Sequence, residues 1–173
     1  GHEHYAPALQ AEAVYGLTEH YRLMLPKKRI IACPGCYPTS VLLPLLPVIK
    51  VGQISHDDII IDSKSGVSGA GRAAKEAMLF SEVGEGVHAY GLGTHRHGPE
   101  IDQELSVAAE ADVVTSFTPH LVPMNRGILS TIYVQLLDGV GVTDIRETLV
   151  QSYHQEPFVY VVSPGKSPAT RHV

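Results

Sequence analysis

The sequence has no tryptophan, three phenylalanines and only two cysteines among 173 residues. Two cysteines three positions apart are too close to staple a fold, so a reducing compartment, the cytoplasm, is the default expectation. Long apolar runs are lacking too. The longest, Val41 to Val51, is shorter than a bilayer span and holds Pro44, Pro47 and Lys50, so no membrane partner is expected. There is no run of like charge, and the formal net charge of −5 offers nucleic acid no footprint. No signal peptide is visible. The dinucleotide fingerprint G-x-G-x-x-G and the Gly-Lys-Ser/Thr ending of a Walker loop are both absent. A second cysteine pair is missing and the ten histidines lack finger-like spacing, so no metal is expected.

What is present suits one globular domain. The chain is 44% hydrophobic with a mean hydropathy near zero, and its length allows a real core. It starts at Gly1 rather than a methionine and stops at Val173 without a visible cap, so it reads as a domain of a longer protein. Tyr5 to Tyr21 has helix-like apolar spacing, interrupted near Gly16. Arg29 to Ala32 reads as a short buried strand, Thr39 to Ile49 as a buried helix that Pro44 and Pro47 kink or shorten. Asp58 to Ser63 is β-branched and strand-like, and a helix is expected from Ala73 to Phe80. Glu100 to Ala111 reads as a helix with Ile101, Leu105 and Ala108 on one face. Asp112–Pro123 and Gly127–Leu137 read as strands around an Asn125-Arg126-Gly127 turn. Thr143 caps a helix ending near His154, and Phe158 to Val162 forms a last strand. Strands outnumber those of strict βαβ alternation, which favours α+β with a mixed or antiparallel sheet.

Chemistry concentrates in Cys33-Pro34-Gly35-Cys36-Tyr37-Pro38-Thr39. Gly35 permits a sharp turn, and Pro38 suits the first turn of a helix. A cysteine there faces unpaired N–H groups and the positive end of the helix dipole, both of which favour the attacking thiolate. Four readings are open: a redox dithiol, a zinc pair, a single nucleophile Cys36 with Cys33 as bystander, or two inert core cysteines. Thr94-His95-Arg96-His97-Gly98-Pro99-Glu100 offers a base, His95, beside a cation, Arg96, or else a solvated basic turn. Ser65-Gly66-Val67-Ser68-Gly69-Ala70-Gly71, followed by Arg72, could let backbone N–H groups converge on an anion, or be a flexible loop. His120 to Gly127 reads as an ordinary polar turn.

Taken together, these segments resemble N-acetyl-gamma-glutamyl-phosphate reductase, of the semialdehyde-dehydrogenase superfamily. The resemblance rests on Pro34-Gly35-Cys36-Tyr37-Pro38-Thr39, Ser65 to Arg72, His95-Arg96-His97 with Pro99-Glu100-Ile101, and Thr118 to Gly127, and runs along essentially the whole chain. It implies an NADPH-dependent reductive dephosphorylation in arginine biosynthesis, turning N-acetyl-glutamyl 5-phosphate into the 5-semialdehyde through a thioester on Cys36. It implies His95 as acid/base, and Ser65, Gly66, Ser68 and Gly69 lining the nicotinamide and acyl-phosphate end. Arg72, Arg96 and His97 would bind phosphate or carboxylate. The family carries Asn where this chain has Cys33. Related acyl-phosphate reductases, acting on carrier-linked aminoadipyl or glutamyl phosphate or on aspartyl phosphate, would share the catalytic parts, and a non-catalytic scaffold would share the fold.

The implied fold is α+β, like the C-terminal domain of glyceraldehyde-3-phosphate dehydrogenase. It has a mixed, largely antiparallel sheet with helices on one face and the other face used in a homo-oligomer, dimer or tetramer. Residues 1–173 then form the substrate-binding, catalytic and dimerisation domain. The N-terminal Rossmann domain that makes most NADP contacts, and a C-terminal segment, would lie outside it. These 173 residues alone are therefore expected to bind NADPH weakly and to be inactive.

Overall fold

In the computed structural model, which describes residues 5–172, the order is α1 (Pro7–Gln10), β1 (Val14–Tyr15), α2 (Thr18–Tyr21), β2 (Ile31–Ala32), α3 (Cys36–Lys50), β3 (Ile60–Ser65), α4 (Phe80–Val83), β4 (His88–Ala89), α5 (His97–Ala109), β5 (Ser116–Leu121), β6 (Ile128–Tyr133) and α6 (Val142–Tyr153). Four strands form one sheet in the order β4-β5-β3-β6. Its central pairing, β3 with β5, is parallel, and the two flanking pairings are antiparallel. A mixed sheet of an α+β domain is what the sequence leads one to expect. β1 and β2 make a separate parallel pair.

Alternation along β3 decides where the helices lie. Ile61, Ser63 and Ser65 are buried while Ile60 is exposed, so one face of the sheet meets the helices and the other stays open. The core joins Ile59 and Ile61 to Val41, Leu42, Leu45 and Leu46 of α3 and to Ile101 and Leu105 of α5. α6 packs on α3 from the side. On the open face Asp62 pairs with Lys64 at 2.7 Å and lies 3.0 Å from His120 Nδ1, flanked by the exposed side chains of Ile60, Leu129 and Tyr133.

α3 is longer than the prolines suggest. It runs through Pro44 and Pro47 to Lys50. Pro47 cannot donate to the Leu43 carbonyl, and the Tyr153 hydroxyl from α6 donates to it instead. His20 meets that hydroxyl at 2.7 Å. Burial drives the His20 pKa down to about 4, so this contact is made by a neutral ring.

Several expected elements differ. Tyr5 to Tyr21 is not one interrupted helix, because β1 claims Val14 and Tyr15 between two four-residue helices. β2 is exposed rather than buried. Ala73 to Phe80 holds only a 3₁₀ turn at Glu76–Met78, with α4 starting at Phe80. The cap of α6 is Gly141, whose N–H donates to Asp144 at 2.7 Å, not Thr143. Phe158 to Val162 has a strand's composition but pairs with no described strand, leaving Phe158 92% and Tyr160 85% exposed.

Leu46 is fully buried between α3 and the core. Leu46→Ala is expected to cost about 2–5 kcal/mol of unfolding free energy, since the site cannot fully collapse around the lost methyls. Urea denaturation followed by circular dichroism checks this, and a loss under about 1 kcal/mol would contradict the packing described.

Candidate active site

Cys36 is the first residue of α3, and Gly35 is its N-cap. The first intrahelical bond runs from the Thr39 N–H to the Gly35 carbonyl at 2.9 Å, reinforced by Thr39 Oγ1 at 2.9 Å. The Cys36 and Tyr37 N–H groups therefore lie at the mouth of the helix, outside its ladder. Gly35 is not required for a special backbone angle, since its φ of −66° suits any residue. It is required by contact: a Cβ there would sit 2.5 Å from Nε2 of His97. The helix is docked on the sheet just past the cysteine by three serines. Ser40 Oγ lies 2.8 Å from Ser130 Oγ, which lies 2.7 Å from Ser63 Oγ.

Cys36 is exposed and opens on a cleft of about 440 Å³ lined by Thr39, Ser40, Ser65, Gly66, Ser68, Gly69, Gly127 and Ile128. Ser65, Gly66 and Gly69 also border a second chamber of about 370 Å³, which holds Lys75, His88, Tyr90, His95 and Arg96. The cysteine and the histidine singled out in the sequence thus face two chambers that share one wall. Tyr37, next to Cys36, is buried, with its ring edge-on to His95 at 5.5 Å and its hydroxyl 2.8 Å from that of Tyr90. Burial and then the Tyr90 hydrogen bond raise the Tyr37 pKa, so it remains a neutral phenol.

His95 accepts the His97 backbone N–H at Nδ1, 3.1 Å away. A neutral ring so held carries its proton on Nε2. Burial, then His97 and Arg96, lower its pKa from the ordinary histidine value. Near neutrality His95 is accordingly an uncharged hydrogen-bond donor. Burial also lowers the pKa of His97, with Glu100 opposing and Arg96 adding to the effect.

The Gly-rich segment does not form the expected anion cradle. The N–H groups of Gly66, Val67 and Ser68 are spent on the carbonyls of Gly127, Met124 and Asn125. A Cβ on Gly66 would meet Arg126 N and Met124 O at 2.8 Å, so glycine there allows this lacing. The His120–Gly127 segment, read as an ordinary turn, is therefore the buttress of the cleft wall. Ser65, Gly66, Ser68 and Gly69 do line the cleft beside Cys36. Arg96 borders the His95 chamber, whereas Arg72 is exposed and lines neither chamber. His97 is buried against Gly35 and borders a separate hollow with Cys33, Pro34, Arg96 and Glu100. Reading the sequence alone missed Lys75, His88 and Tyr90 of the second chamber. No local signal marks them, because the 88–90 strand edge and the 75–78 turn are brought there by the fold.

Comparison with known proteins gives concordant likenesses. A family described as "Semialdehyde dehydrogenase, dimerisation domain" matches residues 36–173. The N-acetyl-gamma-glutamyl-phosphate reductases of Afipia carboxidovorans and Rhodospirillum rubrum are 60% and 59% identical over all of this chain and 49% of their own length. A probable chloroplastic one from Arabidopsis thaliana is 54% identical over all of this chain and 43% of its own. The chain spans about half the length of the curated relatives it matches. Among solved structures, aspartate semialdehyde dehydrogenase II of Vibrio cholerae, complexed with ASA, covers 92% of this chain and 54% of its own at a TM-score of 0.65 and 14% identity. The Francisella tularensis aspartate semialdehyde dehydrogenase covers 82% and 52% at 0.64 and 11%. At such identity the likeness is one of fold.

Proposed function

Since the chain belongs to the semialdehyde dehydrogenase dimerisation-domain family, we propose that residues 1–173 are the catalytic and subunit-contact domain of an N-acetyl-gamma-glutamyl-phosphate reductase of the cytoplasm. The reading is carried by one observation: Cys36 opens from a helix N-terminus onto a cleft whose Ser65–Gly69 wall is shared with the His95 chamber. Cys36 as thiolate attacks the acyl phosphate carbon, phosphate leaves with the bonding electrons, and a thioester remains on the sulfur. The Cys36 and Tyr37 N–H groups and the Nε2–H of His95 are the donors available to the carbonyl oxygen as it gains charge. Arg96 and Lys75, on the His95 side, supply positive charge for an anionic substrate group.

The small residues Gly66, Ser68, Gly69 and Gly127 with Ile128 leave a smooth, mostly apolar wall beside the sulfur, which fits a flat nicotinamide ring. When bound, NADPH supplies hydride to the thioester carbon. Collapse of the resulting thiohemiacetal returns Cys36 and releases the aldehyde. The remaining cofactor contacts belong to a nucleotide-binding domain outside these residues. Among the described residues no helix is long and apolar enough to cross a membrane. The open sheet face, with Ile60, Leu129 and Tyr133 around the Asp62–Lys64–His120 cluster, suits contact with a second copy of the chain.

The test is NADPH oxidation by the full-length protein with different acyl phosphates. N-acetyl-glutamyl 5-phosphate is expected to give a kcat/KM at least about 100-fold above that for aspartyl phosphate, because a missing or surplus polar group is strongly penalised in a built site. Equal rates, or preference for aspartyl phosphate, would overturn the substrate assignment.

A further inference from the structure

One carboxylate that the chemistry above does not use touches the residue before the nucleophile. Glu100, in the first turn of α5, accepts two hydrogen bonds at Oε1, from the Gly35 N–H at 2.9 Å and from the Tyr15 hydroxyl at 2.7 Å. An N-cap residue commonly finds its acceptor in a glutamate three positions into its own helix. In α3 that position is Pro38, which has no side-chain acceptor. Glu100, 65 residues further along, takes its place. The carbonyl of Gly35 is held by Thr39 and its Cα is covered by His97. The peptide that aims Cys36 is thus fixed from α3, α5 and β1 together.

We infer that Glu100 is a positioning residue, a helix cap supplied from a distant helix, which fixes the first turn of α3 and so the direction of the Cys36 sulfur into the cleft. Tyr15 is the second half of the device, since its hydroxyl holds the carboxylate in place. Burial, then the Glu100 bond, raise the Tyr15 pKa, so it stays a donor at any physiological pH. The inference deepens the reductase reading, and only its kinetic arm rests on that reading.

The experiment compares wild type, Glu100→Ala and Glu100→Gln in the full-length protein, by amide exchange at Gly35 and by kcat and KM. In Glu100→Ala, Gly35 exchange is expected to rise at least about 10-fold while the rest of α3 stays protected. The value of kcat is expected to fall about 10- to 100-fold with KM within about 3-fold, as for a misaimed nucleophile. Glu100→Gln keeps the acceptor oxygen and should restore both readouts. A purely structural residue would lower the melting temperature and leave kcat per folded molecule unchanged. Unchanged Gly35 exchange in Glu100→Ala, unchanged kcat, or failure of Glu100→Gln to rescue would each overturn the inference. If the wild type reduces no acyl phosphate, the reductase reading falls and the exchange comparison still decides the role of Glu100. If Glu100→Ala does not fold, Tyr15→Phe takes its place, and faster exchange at Gly35 supports the device while unchanged exchange overturns it.

Discussion

Cys36→Ser in the full-length protein is expected to lower the reductase rate by about four orders of magnitude or more, because a serine hydroxyl is a poor nucleophile without an adjacent base. Cys33→Ala is expected to keep at least about half of the rate, the ordinary outcome for a side chain outside the reacting set. The structure gives the reason for the asymmetry. Cys36 opens on the cleft, while Cys33 borders the separate hollow behind Gly35 with Arg96, His97 and Glu100. Both thiols are exposed, so exposure alone does not separate them. Steady-state rates with thermal melting as a control decide the matter. Equal losses from the two substitutions would revive the dithiol reading of Cys33-x-x-Cys36.

The second large effect concerns His95. With Nδ1 taken by the His97 N–H, its neutral ring offers a proton only at Nε2. His95→Ala is expected to lower kcat about 10²–10³-fold, the usual cost of removing one donor to a developing oxyanion. His95→Asn keeps an N–H donor and should recover part of that loss. The pH profile carries the sign. Burial, His97 and Arg96 lower the His95 pKa, so the neutral form persists as pH falls through the ordinary histidine value near 6.5. Protonation puts a second proton on Nδ1 and breaks its bond from the His97 N–H. The acid limb of activity should therefore have its midpoint below the ordinary histidine value. An acid limb at or above 6.5 would contradict the lowered pKa, and His95→Asn as inactive as His95→Ala would instead make His95 a proton-accepting base.

Strands β3, β5 and β6 were legible in place but not in extent: Ile59 to Ile61 marks the start of β3, yet its polar second half, Asp62 to Ser65, extends past the expected end at Ser63, and β5 and β6 are each about half the length expected. α3 and α5 were legible from apolar periodicity. Short elements were not. β4 is two residues long, and it exists because His88 and Ala89 find partners in Leu121 and His120. The reverse holds for Phe158 to Val162, which has the composition of a strand but, among the described residues, pairs with no other strand. The prolines of α3 misled for a similar reason. Their cost is local, and its remedy, the Tyr153 hydroxyl on the Leu43 carbonyl, comes from a helix more than a hundred residues away.

At the site, the sequence by itself determined the candidate groups: a cysteine opening a helix, a histidine beside an arginine, a wall of glycine and serine. Bond chemistry and local backbone preference decide these, and both are written in consecutive residues. Only the tertiary structure decided their arrangement. Glu100 caps the turn of Gly35, Tyr37 lies edge-on to His95, and the Met124–Gly127 turn takes the N–H groups once open to an anion. Those contacts join residues 57 to 65 positions apart, and what selects them is the packing of α3 and α5 on one face of the sheet, which no local pattern encodes.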